Sequence, residues 1–180
     1  MKPSRRGKTI HLKSILILDT ITLISAIALI FAVGHSAAFD LDQVMRDTAD
    51  RFVRPAYSGF ADKSKQLLAA QKQLCALPSS ANADAAKTAF AGAALSWANA
   101  EVFRAGPVVE DNRLERVLFY PDRKGTGLKQ VQAALAASDE TVTDATELAG
   151  KSVAMQGLGT LEFVLFGTGS EALETTDGNH

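Results

Sequence analysis

The sequence predicts an all-α fold, an antiparallel helical bundle. Three observations carry that expectation. Apolar residues recur at three- and four-residue steps over long stretches, few stretches alternate with the period of two that a half-buried strand needs, and the strong helix former alanine is abundant.

The first segment stands apart from the bundle. MKPSRRGKTIHLK carries Lys2, Arg5, Arg6, Lys8 and Lys13 and no acid, an apolar run from Ile15 to Val33 follows, and HSAAFD returns to small and polar residues. This is the pattern of a secretory signal peptide, with Ser36 and Ala38 in the small positions before a cut ahead of Phe39. The apolar run also approaches the roughly 20 residues that span a bilayer, so an uncleaved N-terminal membrane anchor is the alternative. The expected organisation is a leader over 1–38, a helical domain over 39–167 and a flexible tail over 168–180.

The helices come next, in chain order. FDLDQVMRDTADRFVRPAYSGFADKSKQLLAAQKQLCALP has fair helical spacing from Tyr57 onward. Pro55 should kink or divide it, because proline lacks the backbone donor, and Pro78 ends it. SSANADAAKTAFAGAALSWANAEVFRAGP is a second helix, capped by Ser80 or Asn82 and stopped at Gly106-Pro107. VVEDNRLERVLFYPDRKGTG, residues 108–127, reads as a long charged loop whose Val117, Leu118, Phe119 and Tyr120 dock on something. LKQVQAALAAS is a short helix. A last helix, capped by Ser138 or Asp139, runs from Glu140 to Gly167.

Composition narrows the chemistry. The chain holds 19 basic and 20 acidic residues; five bases and one acid fall within residues 1–38, which leaves 14 against 19, a net of −5. A mildly acidic domain is a poor partner for nucleic acid or for an anionic membrane surface; membrane contact is expected only through the leader, if uncleaved. A single cysteine, Cys75, allows no internal disulfide and reads as a buried apolar filler. The three histidines are His11, His35 and His180, so the body of the fold has none. That removes Ser-His-acid and Cys-His nucleophiles and histidine-rich zinc sites. A metal held here needs oxygen ligands, which favours hard ions such as calcium, magnesium or ferric iron, with iron or calcium as the expected cofactor.

One carboxylate invites a functional reading. Glu162 is the sole charge in GLGTLEFVLFG, and helical steps place it beside Leu158 and Leu165. A buried carboxylate needs a cation, hydrogen bonds, a metal or a proton. Trp97, Glu101 and Arg104 are spaced by four and three along the second helix, so Glu101, Arg104 and Glu162 are expected to form one polar cluster. Such a cluster either fixes helix register or binds a ligand. A second surface, between the Trp97 helix and the 108–127 loop, offers Trp97, Phe119, Tyr120, Arg113 and Arg123 to a peptide, glycan or partner protein. Glu110, Asp111 and Asp122 are the loop carboxylates open to a cation.

Three stretches resemble the imelysin family of exported bacterial proteins. SWANAEVFRAGPVVEDNR is similar to its tryptophan-containing helix that ends in an Arg-x-Gly-Pro turn, VLFYPDRKGTG to an aromatic-Pro-Asp loop, and MQGLGTLEFVLFG to its GxHxxE helix. Gly157 and Glu162 keep that last motif, but Gly159 stands where family members carry histidine. The resemblance implies a periplasmic or cell-envelope protein with an iron-related role and other envelope or iron-uptake proteins as partners. Without the histidine, neither the metal-binding nitrogen nor a base remains for a metallopeptidase, so a non-catalytic protein is expected. Of the candidate binding residues, Gly157 and Glu162 are what the resemblance implies, and Glu101, Arg104 and Trp97 come from the helical spacing; Glu162 and Glu101 are the candidate metal ligands. The chain stops 13 residues after Gly167, as the N-terminal half of the family's two-part helical fold would, and helix faces left apolar by that would drive homodimerisation.

Overall fold

The computed structural model describes residues 40–175. The leader lies outside the described residues, and so does the tail beyond Thr175. The chain divides into two compact units, Met1–Met45 and Arg46–His180. Of the first, Asp40 to Met45 are described; the second holds the core and the cavity. Among the described residues every regular element is a helix or helical turn, as the sequence pattern requires. None of those helices is long and apolar enough to cross a membrane.

Helix α1, Leu41–Thr48, passes into a π-turn, Ala49–Val53, and then into α2, Arg54–Ala76. Pro55 explains the wide turn. Its ring cannot donate to the carbonyl four residues back and collides with it, so the backbone opens by one residue ahead of the proline. Proline then sits in the first turn of α2, where no donor is missed. Leu77 leaves helical geometry, Pro78 follows, and the extended Ser79 starts α3, Ser80–Ala100. The cap is Ser79, one residue before the expected Ser80: its hydroxyl accepts the Asn82 N–H at 3.3 Å. The Asn82 side chain serves the other helix instead, donating to the Leu77 carbonyl at 2.6 Å.

The α2–α3 hairpin carries most of the core. On α3 the buried residues are Ala83, Ala86, Phe90, Ala93, Trp97 and Ala100. They alternate by three and four, which makes one straight stripe. Four of the six are alanines, so α2 can approach closely, and its Leu67 and Leu74 close over them. Phe60 reaches Trp97 with ring centroids 5.0 Å apart, and burying side chains of this size stabilises by roughly 1.5–3 kcal/mol each. Cys75 is not part of this core: it faces outward on α2, one position past Leu74.

α3 ends at Ala100, earlier than Gly106-Pro107 led us to expect. A 3₁₀ turn at Gly106–Val109 and a short helix α4, Arg113–Val117, break up the stretch read as a loop. Helix α5, Thr126–Ala136, follows as expected. The long last helix does not form. Its span holds a 3₁₀ turn at Glu140–Thr143, α6 at Ala145–Gly150, a 3₁₀ turn at Val153–Met155 and α7 at Gly157–Phe166. Asp139 and Asp144 each cap a new start there. Leu158 and Leu165 of α7 complete the core against α3.

The tail also departs from its expected looseness. Ser170–Glu174 form a 3₁₀ turn, Leu173 packs on the core, and Glu174 meets Lys87 of α3 at 3.4 Å. The domain therefore extends past residue 167.

Candidate functional site

The start of α7 is fixed by its neighbours. Gln156 precedes it, and its side-chain Nε2 donates to the Leu148 and Lys151 carbonyls at 3.0 and 2.9 Å. Its Oε1 accepts from Arg116 Nη1 at 3.1 Å, and the same Nη1 donates to the Ala149 carbonyl at 2.9 Å. Arg116 and Gln156 thus bind α4 to the end of α6 through backbone oxygens. Gly157 has φ +74°, a region that favours glycine, and a Cβ there would collide with the carbonyl oxygens of Arg116 and Val117. The first glycine of the motif is a seam between α4 and α7.

Gly159 is different. A Cβ built on it meets nothing within 4 Å. This position, where the resemblance implies a histidine, opens onto a cavity of about 280 Å³. Glu162, Thr160 and Phe163 line one side of it, and Phe119, Tyr120 and Asp122 another. The floor is apolar, with Leu118, Leu128 and Val131. Among the described residues no lysine, arginine or histidine lines it.

The two carboxylates have different jobs. Asp122 caps α5: Oδ1 accepts the Thr126 N–H and Oδ2 the Gly127 N–H, both at 2.8 Å. Those backbone donors, that of Thr126 foremost, hold its carboxyl below the usual range. Glu162 is exposed on α7 and makes no ion pair among the described residues. The Thr160 hydroxyl beside it is buried and has no partner among the described residues.

The expected polar cluster of Glu101, Arg104 and Glu162 does not form. Because α3 ends early, Glu101 is its C-cap and Arg104 lies beyond the helix. Arg104 Nη2 meets Glu101 at 3.3 Å, and its Nε donates to the Glu101 carbonyl. That is a local, largely exposed pair, of the kind worth 0 to roughly 1 kcal/mol. Glu101 is absent from the cavity that Glu162 lines, so the expected Glu101–Glu162 metal pair has no shared site there. Trp97 is 3% exposed and belongs to the core. Its indole Nε1 has no partner among the described residues.

The second expected surface is also redrawn. Phe119 and Tyr120 do line a concavity, but its other wall is α7 and not the Trp97 helix, and neither Arg113 nor Arg123 reaches it. Arg113 pairs with Glu110 at 3.3 Å and Asp111 at 2.9 Å, which commits two of the three carboxylates expected to be open to a cation to holding their own loop. Among the described residues no group of three or more His, Cys, Asp or Glu side chains gathers to hold a metal ion.

Sequence reasoning missed Arg116, Gln156 and Asp144. Asp144 was legible: Asp144-x-x-Glu147 is a helix-start signature, and its carboxylate accepts from the Thr146 and Glu147 N–H groups at 2.8 and 2.9 Å. Arg116 and Gln156 carry no local signal, because their partners are carbonyls far along the chain.

Among the described residues, fold and site together define a helical domain with a polar-aromatic cavity beside the start of α7. The imelysin family model matches residues 53–179, and the chain belongs to that family. No curated protein and no solved structure matches it.

Proposed function

We propose that the protein is an exported, non-catalytic binding module, and that the cavity between the Phe119–Asp122 stretch and α7 is its ligand site. The observation that carries this reading is the cavity itself. It joins Glu162, a carboxylate without an ionic partner among the described residues, to aromatic and aliphatic walls, the usual make-up of a ligand pocket.

The donor set does not fit the metal that the family resemblance implies. Position 159 supplies no nitrogen, and both Asp122 oxygens already accept backbone N–H groups. Glu162 remains as the one uncommitted carboxylate in the lining. Calcium takes about six to eight oxygens and catalytic zinc about three protein ligands, so neither a hard-ion site nor a hydrolytic centre is assembled from these residues. The leader pattern in residues 1–38 supports export to the periplasm or cell envelope.

The test is a fragment screen of the full chain by amide NMR, with casein digestion run in parallel with and without added zinc, iron or calcium. The reading expects some small polar fragments to move the Gly159, Thr160 and Glu162 signals, and no digestion. Metal-dependent digestion lost in Glu162→Gln would overturn it, as would a cavity that no fragment perturbs.

A further inference from the structure

Resting on that reading, we infer that the cavity recognises an organic monocation, an alkylammonium or guanidinium group of about the size of a lysine or arginine head. Three observations converge on this class. The first is charge: among the described residues the lining holds Glu162 and Asp122 and no basic residue, so an anion would enter against two carboxylates. The second is the walls. Phe119, Tyr120 and Phe163 line the same cavity as that charge, and aromatic rings in a site that also holds a carboxylate attract a cation that carries apolar carbon. The third is size. About 280 Å³ falls just below the roughly 300–1,000 Å³ of pockets for drug-sized ligands and suits a single side-chain head.

The same features disfavour a bare metal ion. A small hard cation needs several oxygens converging on one point, whereas an ammonium needs one charged acceptor and tolerates apolar surroundings along its stem. Asp122 contributes field without moving, because the start of α5 holds both of its oxygens. Glu162 is left to make the direct contact. The glycine at 159 is part of this specificity: a larger side chain there would project into the open space where the cation's stem must lie. Tyr120, 80% exposed, stands at the rim, where the stem would leave the cavity.

The group could arrive as a free amine or on a peptide, and the experiment separates the two. The full chain is titrated with n-butylammonium, n-butylguanidinium, a blocked tripeptide with central lysine, n-butanol and n-butyrate, following the Gly159, Thr160 and Glu162 amide signals. Both cations are expected to bind at least tenfold more tightly than butanol, with butyrate weakest. Tighter binding of the tripeptide than of butylammonium identifies a peptide-borne head as the ligand, and the reverse order a free amine; either supports the cation class.

Two variants sharpen the result. Glu162→Gln should weaken the cations about tenfold or more and leave butanol unchanged. Gly159→Leu should abolish all binding while the melting temperature holds or rises, since its side chain enters open space. Equal affinity for butanol and butylammonium, or cation affinity unchanged in Glu162→Gln, overturns the inference and leaves the cavity as a site for another ligand class. Silence from every probe, including those of the broader fragment screen, overturns the site itself.

Discussion

The α2–α3 hairpin and the stretch from Glu101 to Gln156 are built on opposite principles. The hairpin has a dry stripe of alanine, leucine, phenylalanine and tryptophan, and its stability comes from removing hydrocarbon from water. Its polar side chains are incidental: the Arg51–Asp47, Arg54–Asp50 and Lys65–Asp62 pairs at its start and flank are largely exposed. The Glu101–Gln156 stretch has short helices and few buried side chains, Val131 and Ala154 among them. Side chains that satisfy backbone hold it instead: Asp122 on α5, Asp139 and Asp144 on the turns beyond, Arg116 and Gln156 on carbonyls. One region resists by area and the other by matched donors and acceptors, and the candidate cavity lies where the second meets α7.

The largest expected effect falls on the seam where the second region, through α4, meets α7. Gly157→Ala must place a Cβ at φ +74° against the Arg116 and Val117 carbonyls. The backbone conformation alone costs about 1–2 kcal/mol, and the collision adds to it, for a total of roughly 2–4 kcal/mol. Urea denaturation read by circular dichroism measures it. A loss below about 0.5 kcal/mol, the scatter of ordinary surface changes, would mean that α4 is not pinned to α7, and the contrast between the two regions would lose its boundary.

Acid should divide the regions next. The Asp122 carboxyl is lowered by the N–H groups of Thr126 and then Gly127, Asp139 by the Thr141 hydroxyl and then Lys151, and Asp144 by the N–H groups of Glu147 and Thr146. A carboxyl whose folded pKa is depressed stabilises fully above its unfolded value, near about 4. It loses that contribution as pH falls through the lower folded value. All three lie between Glu101 and Gln156. Native-state hydrogen exchange at pH 7 and at pH 3, corrected for the intrinsic rates, should therefore show protection falling first in α5, α6 and the turns between, while the α3 amides near Trp97 keep theirs. Uniform loss would show that the two regions unfold as one unit. The Tyr57 phenol sits outside this window: burial raises its pKa against the opposing pull of Arg104, and its hydroxyl donates to the Phe103 carbonyl at 2.7 Å.

The same contrast explains what could be read from the sequence. The all-α class, α5 and the tryptophan-bearing helix follow from periodicity, because a dry stripe must repeat with the helix. The continuous last helix fails although Glu140 to Gly167 is rich in helix formers, and what breaks it is local competition: the Asp139, Asp144 and Ser152 side chains take backbone donors, and Gly157 turns left-handed. The site is half legible. Glu162 stands out in the sequence as a lone charge in an apolar run, and Asp122, Phe119 and Tyr120 stand out as separate loop features. Their meeting across the cavity depends on the Arg116–Gln156 bond that sets α4 beside the start of α7, which no spacing in the chain encodes. Arg104 and Glu101 enter the expected cluster only if α3 continues, and it stops at Ala100.

The smallest effect has the opposite sign. Gly159, two residues from the seam, has no positive φ and no neighbour for a Cβ to strike. A glycine within a helix costs about 0.5–1 kcal/mol relative to alanine, chiefly in backbone entropy. Gly159→Ala should therefore stabilise by up to about that amount, seen as a higher urea midpoint with an unchanged slope. Two glycines of one motif would then answer the same substitution with opposite signs, Gly157 because packing excludes a side chain and Gly159 because nothing structural requires its absence. A glycine that the fold does not need, facing a cavity with a free carboxylate, is what a site kept open for a ligand would have. Destabilisation at 159 would instead make that glycine structural and take away the reason for reading the space in front of it as a site.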